Sequence, residues 1–555
     1  MRGRDVLRRV VTGQWRLAAG GAVLAAGHQG GEALVPVLIG VVIDKAILPG
    51  DTGALVRWII VLGAVFAGLS YSYRFSFRFA ERAAEQAAHE LRLELTRRTL
   101  DPRGGAETGR LPGELVNIAT GDTKRAGAVH VSMAAGTAAL AGLVAGGIAL
   151  LSMSVPLGLL VLLGIPPLLA LAHWIGKPLE RRSGAEQERA AHASGVAADL
   201  LAGLRILKGI GAERAAVRRY RRTSRDSLAA TVRAARAQAW HDGGMLTVTG
   251  IFIAVVALVG GRLALDGDIT VGQLVTAVGL AQFLLGPLSI LSWANGEFAQ
   301  GRASAARIAS VLASPPAVAD GDGEPRPPVR GGLRLRGVHH GGALRGLTLD
   351  VAPGELLGIV TAPAAATALL RLLGRAEDPG SGTIELDGVP LRALDPAAVR
   401  RAVVVAEHDA DLFEGTLLDN VTAAAPAETG TGAGGAPDQV AANLPHGTAT
   451  VLTERGRSLS GGQRQRVALA RALAADAPVL VLHDPTTAVD AFTEARIAAG
   501  IREARGGRTT IVVATSPALL AAADRVVFVA DGAVAAEGAH GDLVHEDAAY
   551  RATVL

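Results

Sequence analysis

The sequence predicts a chain of two unlike parts: an all-helical bundle of six membrane spans with long helical extensions, followed by a soluble α/β domain. Three observations carry this. Half of the residues are apolar and mean hydropathy is +0.33, yet aromatic residues are only 3%, so the apolar excess is Ala, Val and Leu. That excess lies before about residue 300, in long apolar stretches separated by charged ones, whereas the remainder has ordinary soluble composition. Between the two, Ser314 to Gly332 is rich in Pro, Gly and Asp, the composition of a linker. A chain of 555 residues is also too long for one core. The expected division is residues 1–313 for the membrane part, 314–332 for the linker and 333–555 for the soluble domain.

A helix crossing hydrocarbon needs about 20 mostly apolar residues. Six stretches qualify: Leu17 to Val42, Leu55 to Tyr73, Val131 to Met153, Leu157 to Ile175, Met245 to Leu265 and Val271 to Trp293. Several contain Gly and Pro, which membrane helices tolerate. The connections after the second and fourth are long and basic, including Lys177 to Arg189 and the run Arg214, Arg218, Arg219, Arg221, Arg222 and Arg225. Those after the first, third and fifth are short, two of them with acids, Asp51 and Asp266 with Asp268. Positive-inside asymmetry therefore predicts a multi-pass protein of the cytoplasmic membrane with both termini, both long connections and the soluble domain in the cytosol. Glu81 to Thr99 and Ala185 to Ala237 are rich in Ala, Leu, Arg and Glu, so the spanning helices are expected to continue into the cytosol.

The formal net charge of +4 is modest and the arginines lie between apolar stretches, which argues for membrane-facing cytosolic surfaces and against nucleic acid binding. The absence of cysteine excludes disulfides and thiol metal sites, and no metal site is predicted. The basic start, Met1-Arg2-Gly3-Arg4 through Arg8-Arg9, precedes an apolar run without a small-residue cleavage site, so a cleaved leader is not expected. Charges in or beside the spans have two readings. Asp44, Arg74 and Arg78 lie near helix ends and are read as reaching water. Glu32 lies inside its span, and a role on a solute route stays open for it.

From Leu333 the pattern becomes short strands and helices. Leu333 to Val338 alternates, while Leu356 to Val360, Val479 to Leu482 and Thr510 to Ala514 read as buried strands, the pattern of an α/β nucleotide fold. The strongest local signal is Ser458-Leu459-Ser460-Gly461-Gly462-Gln463-Arg464-Gln465-Arg466, running into a helix from Val467 to Ala475. A Ser and two glycines at a helix start expose backbone N–H groups to an anion, and the helix end adds favourable potential. A plain capped helix shares Ser-Gly-Gly, but has no need of Gln463, the Gln465-Arg466 pair and the Ala-Leu-Ala-Arg-Ala-Leu that follows.

On these residues the chain resembles the ATP-binding-cassette exporters, as a half-transporter with a membrane domain ahead of its cassette. Leu459 to Gln463 matches the family's signature loop, Pro353-Gly354-Glu355-Leu356 the turn before the phosphate-loop strand, Thr450 to Gly456 the segment before the signature, and Asp490 the loop after the second acidic motif, at the dimer interface. Gly113-Glu114-Leu115 with Asp122, and Gly211-Ala212-Glu213, resemble the family's cytosolic connections.

The departures from the family pattern cluster in one site. A phosphate loop presents glycines that cradle phosphate, a Lys that meets its charge and a hydroxyl that holds magnesium. This sequence reads Thr361-Ala362-Pro363-Ala364-Ala365-Ala366-Thr367-Ala368-Leu369, with Ala364 and Ala366 for glycines, Thr367 for the Lys and Ala368 for the hydroxyl. An Ala forced into a left-handed conformation costs about 1–2 kcal/mol, so tight phosphate binding is not expected. His483 stands for the magnesium-linked Asp and Asp484 for the catalytic Glu. Asp is shorter by one C–C bond, about 1.5 Å, and a misplacement of about 1 Å lowers a rate about a hundredfold. Thr515 occupies the switch-histidine position and His408 that of the magnesium-sensing glutamine.

In this family two cassettes pair head to tail, each ATP lying between the phosphate loop of one and the signature loop of the other. The resemblance therefore implies the degenerate subunit of a heterodimeric exporter. ATP and Mg2+ would be held mainly at the site shared with a second half-transporter with intact motifs, and Ser460, Gly461, Gly462 and Gln463 would grip that partner-bound ATP. The solute would be amphipathic or apolar, and membrane lipid the other partner. The Gly/Ala/Thr-rich segment Thr422 to Gln439 is expected to shorten and loosen the helical subdomain. Two rivals are a homodimeric pseudo-transporter that binds or regulates without hydrolysis, and an active ATPase with unusual residues.

Overall fold

The computed structural model describes residues 1–408, 411–425, 441, 444, 446–453, 456 and 458–555. The chain divides into two compact units, Met1–Leu95 with Val116–Ser310, and Thr96–Leu115 with Val311–Leu555.

The long helices are α1 (Trp15–Val42), α2 (Thr52–Thr99), α3 (Val129–Met153), α4 (Val155–Ala202), α5 (Glu213–Leu265) and α6 (Val271–Leu312). Each predicted span falls within one of them. Among the described residues, five helices, α2 to α6, are long and apolar enough to cross a membrane, with α3 counted from Pro112. The expectation of six is corrected at α1. It is 28 residues long, but His28, Gln29 and Glu32 interrupt its apolar run. At 48, 48 and 53 residues, α2, α4 and α5 exceed what a bilayer requires, as the Ala/Leu/Arg/Glu-rich extensions imply.

In the first unit α1 packs along α3, and α4 along α5. Ala33, Leu150, Leu157, Val161, Val256, Leu280 and Leu284 form a shared core. Small residues bring α1 and α6 together, since a Cβ on Gly272 would lie 2.2 Å from the carbonyl oxygen of Gly40. At this crossing the Asp44 carboxylate accepts from the Gly272 N–H (2.8 Å) and the Thr270 hydroxyl (2.5 Å). Asp44 thus caps the start of α6, where a negative charge is favoured, rather than simply reaching water. Arg74 and Arg78 are exposed, and the Arg78 guanidinium lies 5.8 Å from the Phe75 ring centroid. Asp122 ends a π-helical turn, Ile118–Asp122, and is buried, accepting from Arg307 Nε (2.7 Å) and the Ser304 hydroxyl (2.9 Å).

The second unit contains strands β1 (Leu333–His340), β2 (Leu344–Val351), β3 (Leu356–Thr361), β4 (Ser381–Leu386), β5 (Val389–Pro390), β6 (Val403–Ala406), β7 (Gly415–Thr416), β8 (Val451–Leu452), β9 (Val479–His483), β10 (Thr509–Val513), β11 (Arg525–Ala530) and β12 (Ala533–Gly538). One sheet has the antiparallel order β2-β1-β4-β5, and a larger one the order β12-β11-β3-β10-β9-β6. In the larger sheet β11, β3, β10, β9 and β6 run parallel, with β12 as an antiparallel edge. Its central strands are continuous apolar runs because both faces are covered. Parallel strands end on one edge, so the residues after β3, β6, β9 and β10 converge there, the usual place for a ligand crevice.

The start of the linker is held firmly within this unit. Arg98 donates to the carbonyls of Gly104 (2.9 Å) and Ser314 (2.8 Å), while Arg103 bridges Asp101 (2.6 Å) and Asp320 (3.0 Å). The Gly/Thr-rich segment around Thr429 to Gly435, expected to be loose, lies outside the described residues, as do Glu454 and Arg455 before the signature.

Candidate functional site

The segment at the phosphate-loop position is a helix. β3 ends at Thr361, whose hydroxyl donates to the Val529 carbonyl on β11 (3.2 Å), and α7 (Pro363–Leu373) begins two residues later. Pro363 at the first helical position has a ring-fixed φ suited to a helix start, and Ala is the strongest helix former, so this sequence winds where glycines would stay open. Ala364 and Ala366 are not left-handed; among the described residues the non-glycine residues with positive φ are Arg375, Asp387, Asp476, Asp484 and Asp531. The strain expected from the sequence is therefore not incurred. Winding has its own consequence. Pro363 has no N–H and the Ala366 N–H is spent on the Ala362 carbonyl (3.0 Å), leaving the amides of Ala364 and Ala365 without an intrahelical acceptor. Ala366 and Ala368 are buried in the apolar core, and Thr367 turns its hydroxyl back to the Pro363 carbonyl (3.0 Å).

The other strand ends complete the crevice. His483 ends β9, its ring perpendicular to that of His408 with centroids 5.3 Å apart. Its Nε2 lies 3.7 Å from Asp484 Oδ2. Asp484 adopts φ 44°, a left-handed conformation that Asp tolerates, and its N–H donates to the Val513 carbonyl (3.0 Å). A cavity of about 790 Å³ gathers Thr361, Ala364, Ala366, His408, His483, Asp484 and Thr515 on its walls, but neither Thr367 nor Ala368. Its described lining contains Arg345 but no lysine, and the Thr361 hydroxyl is already committed. The walls thus lack the lysine and glycines of a phosphate loop, while Arg345 and the open amides of Ala364 and Ala365 lie on the same walls.

The signature loop is built differently. Ser460 caps the 14-residue helix α8 (Gly461–Ala474) with a reciprocal box: its hydroxyl accepts from the Gln463 N–H (3.3 Å), and the Gln463 carboxamide oxygen accepts from the Ser460 N–H (2.8 Å). The Arg464 N–H bonds the Ser460 carbonyl (2.9 Å), so the amides left open are those of Gly461 and Gly462. The Ser460 hydroxyl hydrogen and the Gln463 carboxamide NH2 remain available as donors. The helix start thus offers several unspent donors to an anion, and Leu459 behind it is anchored in a core with Leu412, Leu417 and Val467.

Sequence reasoning did not foresee the role of Gln465 in fixing the neighbouring loop. Its carboxamide donates to the Thr487 hydroxyl (2.5 Å) and accepts from the Ala488 N–H (2.9 Å). Gly462 permits this approach, because a Cβ there would lie 2.7 Å from the Ala488 carbonyl oxygen. Asp490 caps the next helix, α9 (Ala491–Ala504), accepting from the N–H groups of Phe492 (3.1 Å) and Thr493 (3.0 Å) and from the Thr493 hydroxyl (2.8 Å). Its bonds with Thr493, the backbone one foremost, hold the carboxyl below its ordinary range. The single sequence signal for Gln465 was its place beside Arg466 one turn into α8.

Residues 19–288 match the ABC transporter transmembrane region, and residues 344–487 match the ABC transporter domain. A multidrug efflux ATP-binding/permease protein of Mycobacterium tuberculosis (strain ATCC 25618 / H37Rv) is 32% identical over 512 residues, which are 90% of this chain and 43% of that protein. An ATP-dependent lipid A-core flippase of Thiobacillus denitrificans is 29% identical over 413 residues, 71% of this chain and 70% of the flippase. A mitochondrial potassium channel ATP-binding subunit of Homo sapiens is 31% identical over 432 residues, 73% of this chain and 58% of that subunit. The chain spans about two fifths of the length of the mycobacterial relatives it matches. With a multi-pass helical membrane region ahead of an α/β cassette, the chain is a member of the ABC transporter family.

Proposed function

We propose that this chain is one half of an ATP-driven exporter of an amphipathic or apolar solute. In this reading its own nucleotide pocket does not hydrolyse ATP, and its signature loop completes the ATP site of a second half-transporter. The observation that carries the reading is the contrast between two helix starts. Both starts leave two amides open, but at α8 the Ser460 hydroxyl and the Gln463 carboxamide add side-chain donors, whereas at α7 Pro363 and the alanines add none and Thr367 is folded back on its own helix. A site that has lost hydrolysis beside a preserved donor array makes sense when the array serves another subunit. A homodimeric pseudo-transporter would have no use for that array.

The second half would supply the phosphate-loop Lys, the catalytic Glu and the switch His, and hold ATP with Mg2+ against Ser460, Gly461, Gly462 and Gln463, which act by stabilising charge on the γ-phosphate. Asp490 would lie beside the same dimer interface. The membrane domain (1–313), linker (314–332) and cassette (333–555) follow the sequence division, with the basic connections and the cassette in the cytosol of a cell whose plasma membrane the spans cross. ATP-driven cassette closure and reopening would alternate the access of the membrane cavity. The mycobacterial relatives, more than twice as long as the stretch they share with this chain, support a requirement for a second half.

Mild extraction from native membrane and affinity isolation of this chain test the proposal. A second half-transporter with an intact phosphate loop should co-purify, and the pair should hydrolyse ATP in lipid vesicles. Isolation of a stable homodimer that lacks such a companion in membranes active for transport contradicts it.

A further inference from the structure

We propose that the segment from 314 to 332 is a rigid strap that binds the connection between α2 and α3 into the cassette as one body, with Arg103 as the residue that positions the connection on the strap. The inference rests on the exporter reading and identifies which parts of this half move together.

The course of the strap prompts it. Composition predicts a loose linker from Ser314 to Gly332, and a freely flexible chain of that length would roam about 24 Å end to end. The segment is instead fastened at intervals. Near its start the Ser314 hydroxyl accepts from Arg110 (3.0 Å). The Ala319 N–H donates to Asp378 Oδ2 (2.9 Å), and the Ala319 carbonyl accepts from Arg375 (2.8 Å), a side chain that is fully buried in the cassette. The Gly323 N–H donates to the Ala393 carbonyl (3.0 Å), and the Gly323 carbonyl accepts from the Asp395 N–H (2.7 Å). At the far end the Asp387 carboxylate accepts from the N–H groups of Arg330 (2.8 Å), Gly331 (3.2 Å) and Gly332 (2.8 Å).

Arg103 is where the connection meets this strap. Its carbonyl accepts from the N–H groups of both Ala317 (3.0 Å) and Val318 (3.3 Å). Its guanidinium grips Asp101 through Nε (2.9 Å) and Nη2 (2.6 Å) and still reaches Asp320 on the strap through Nη1 (3.0 Å). A planar fork can hold two carboxylates at once in this way, whereas an ammonium is a single point charge. The pair with Asp320 is exposed and by itself adds little stability. Its effect is to fix where the connection lies, and the packing below leaves no slack: Ala106 and Val318 are buried, and a Cβ on Gly105 would lie 2.2 Å from the Pro315 carbonyl oxygen.

The position of this joint gives it consequence. The chain passes between the two units at Leu95 to Thr96, at Leu115 to Val116 and at Ser310 to Val311, and all three passages lead into the strapped segments. A body that holds all three passes a displacement of the cassette to α2, α3 and α6 together, whereas a loose linker would absorb it.

Hydrogen exchange of the full chain in lipid nanodiscs tests the strap. Residues 98–110 and 314–323 should exchange slowly, and Arg103→Gln should speed both by about tenfold while β3 and β10 stay protected. Parent exchange already as fast as that of an unstructured loop in either segment overturns the proposal. The absence of native cysteine allows a covalent check, because a Cβ on Gly104 would lie 3.5 Å from that of Ala317, within disulfide range. In the pair, Gly104→Cys with Ala317→Cys should hydrolyse ATP as fast oxidised as reduced, and the strain of a side chain at left-handed Gly104 is common to both forms. Turnover that stops on oxidation and returns on reduction overturns the proposal, since the connection would then have to leave the strap. Arg103→Gln in the pair should keep ATP turnover but lose the ATP-driven change in exchange of α2 and α3, and the oxidised disulfide added to Arg103→Gln should restore that change. A response in Arg103→Gln as large as the parent's contradicts the positioning role. Neither the parent's exchange nor the comparison of oxidised with reduced form depends on Arg103→Gln folding. A pair without ATP turnover contradicts the exporter reading alone, and the exchange of the single chain still decides the strap.

Discussion

The hydroxyl of Thr367 donates to the carbonyl oxygen of Pro363, 3.0 Å away and one turn back in the same helix. On the reading proposed above this is the position from which a lysine would reach phosphate, and here the side chain is engaged with its own backbone. Because Pro363, Ala364, Ala365 and Ala366 all favour the helix, the difference from a phosphate loop lies in the backbone path as well as in the missing side chains.

Putting the functional groups back should therefore not restore the function. The double substitution Thr367→Lys with Ala368→Ser leaves Pro363 and the helical turn in place, and adds a hydroxyl to a buried core position. The expected outcome is no ATP turnover above background and a loss of about 1–3 kcal/mol in stability. Turnover assays and nucleotide-binding measurements on the purified variant check this; vigorous hydrolysis would mean that side chains alone were limiting.

Gly462 and Gly461 should respond differently to alanine. A Cβ at Gly462 would lie 2.7 Å from the Ala488 carbonyl oxygen, while one at Gly461 would meet the Ala488 side chain at an ordinary 3.6 Å. Gly462→Ala should cost about 1–3 kcal/mol and displace the loop that Gln465 holds, and Gly461→Ala should stay within about 0.5 kcal/mol of the parent. Denaturant unfolding of the two variants separates them, and equal stabilities would contradict the close approach.

Acid should weaken the linker clamp in the second unit. The Arg103 side-chain hydrogen bond holds the Asp101 carboxyl at about 2, below its ordinary 3.8. A carboxyl whose folded value lies below its unfolded one contributes stability above the unfolded value and loses it as pH falls through the folded one. Asp101→Asn should lower the melting temperature at neutral pH, and the gap to the parent should close between about pH 4 and about pH 2. A gap that persists unchanged into acid counts against the clamp.

The natural absence of cysteine makes topology directly measurable. Asp268→Cys and Arg218→Cys both fall at exposed positions. In intact cells, a membrane-impermeant maleimide should label the first, and reach the second only after permeabilisation. The reverse pattern would invert the assignment of the basic connections to the cytosol.

Particular elements show what the sequence made legible. The parallel strands were readable because burial on both faces leaves uninterrupted apolar runs, and the head of α8 because Ser460 and Gln463 stand at capping-box spacing. The extent of α2, α4 and α5 followed from their helix-favouring composition. The α1 span was overestimated because it was counted on its length and flanking apolar residues, although His28, Gln29 and Glu32, which line a cavity in the bundle, interrupt it. The helical state of the phosphate segment was missed because the segment was compared with a loop, residue for residue, when Pro363 followed by alanines already specifies a helix start. Asp44 was read against its own helix, whereas its partners, Thr270 and Gly272, lie far along the chain.

The central claim, that this chain supplies a signature loop and no hydrolysis, is tested most directly by ATP turnover of the chain alone and of the purified pair with Ser460→Ala in this chain. The account predicts background turnover for the chain alone, robust turnover for the parent pair, and a loss of about tenfold or more in the Ser460→Ala pair, because a donor to the developing phosphate charge is removed. Turnover by the chain alone, together with a Ser460→Ala pair as active as its parent, would contradict it.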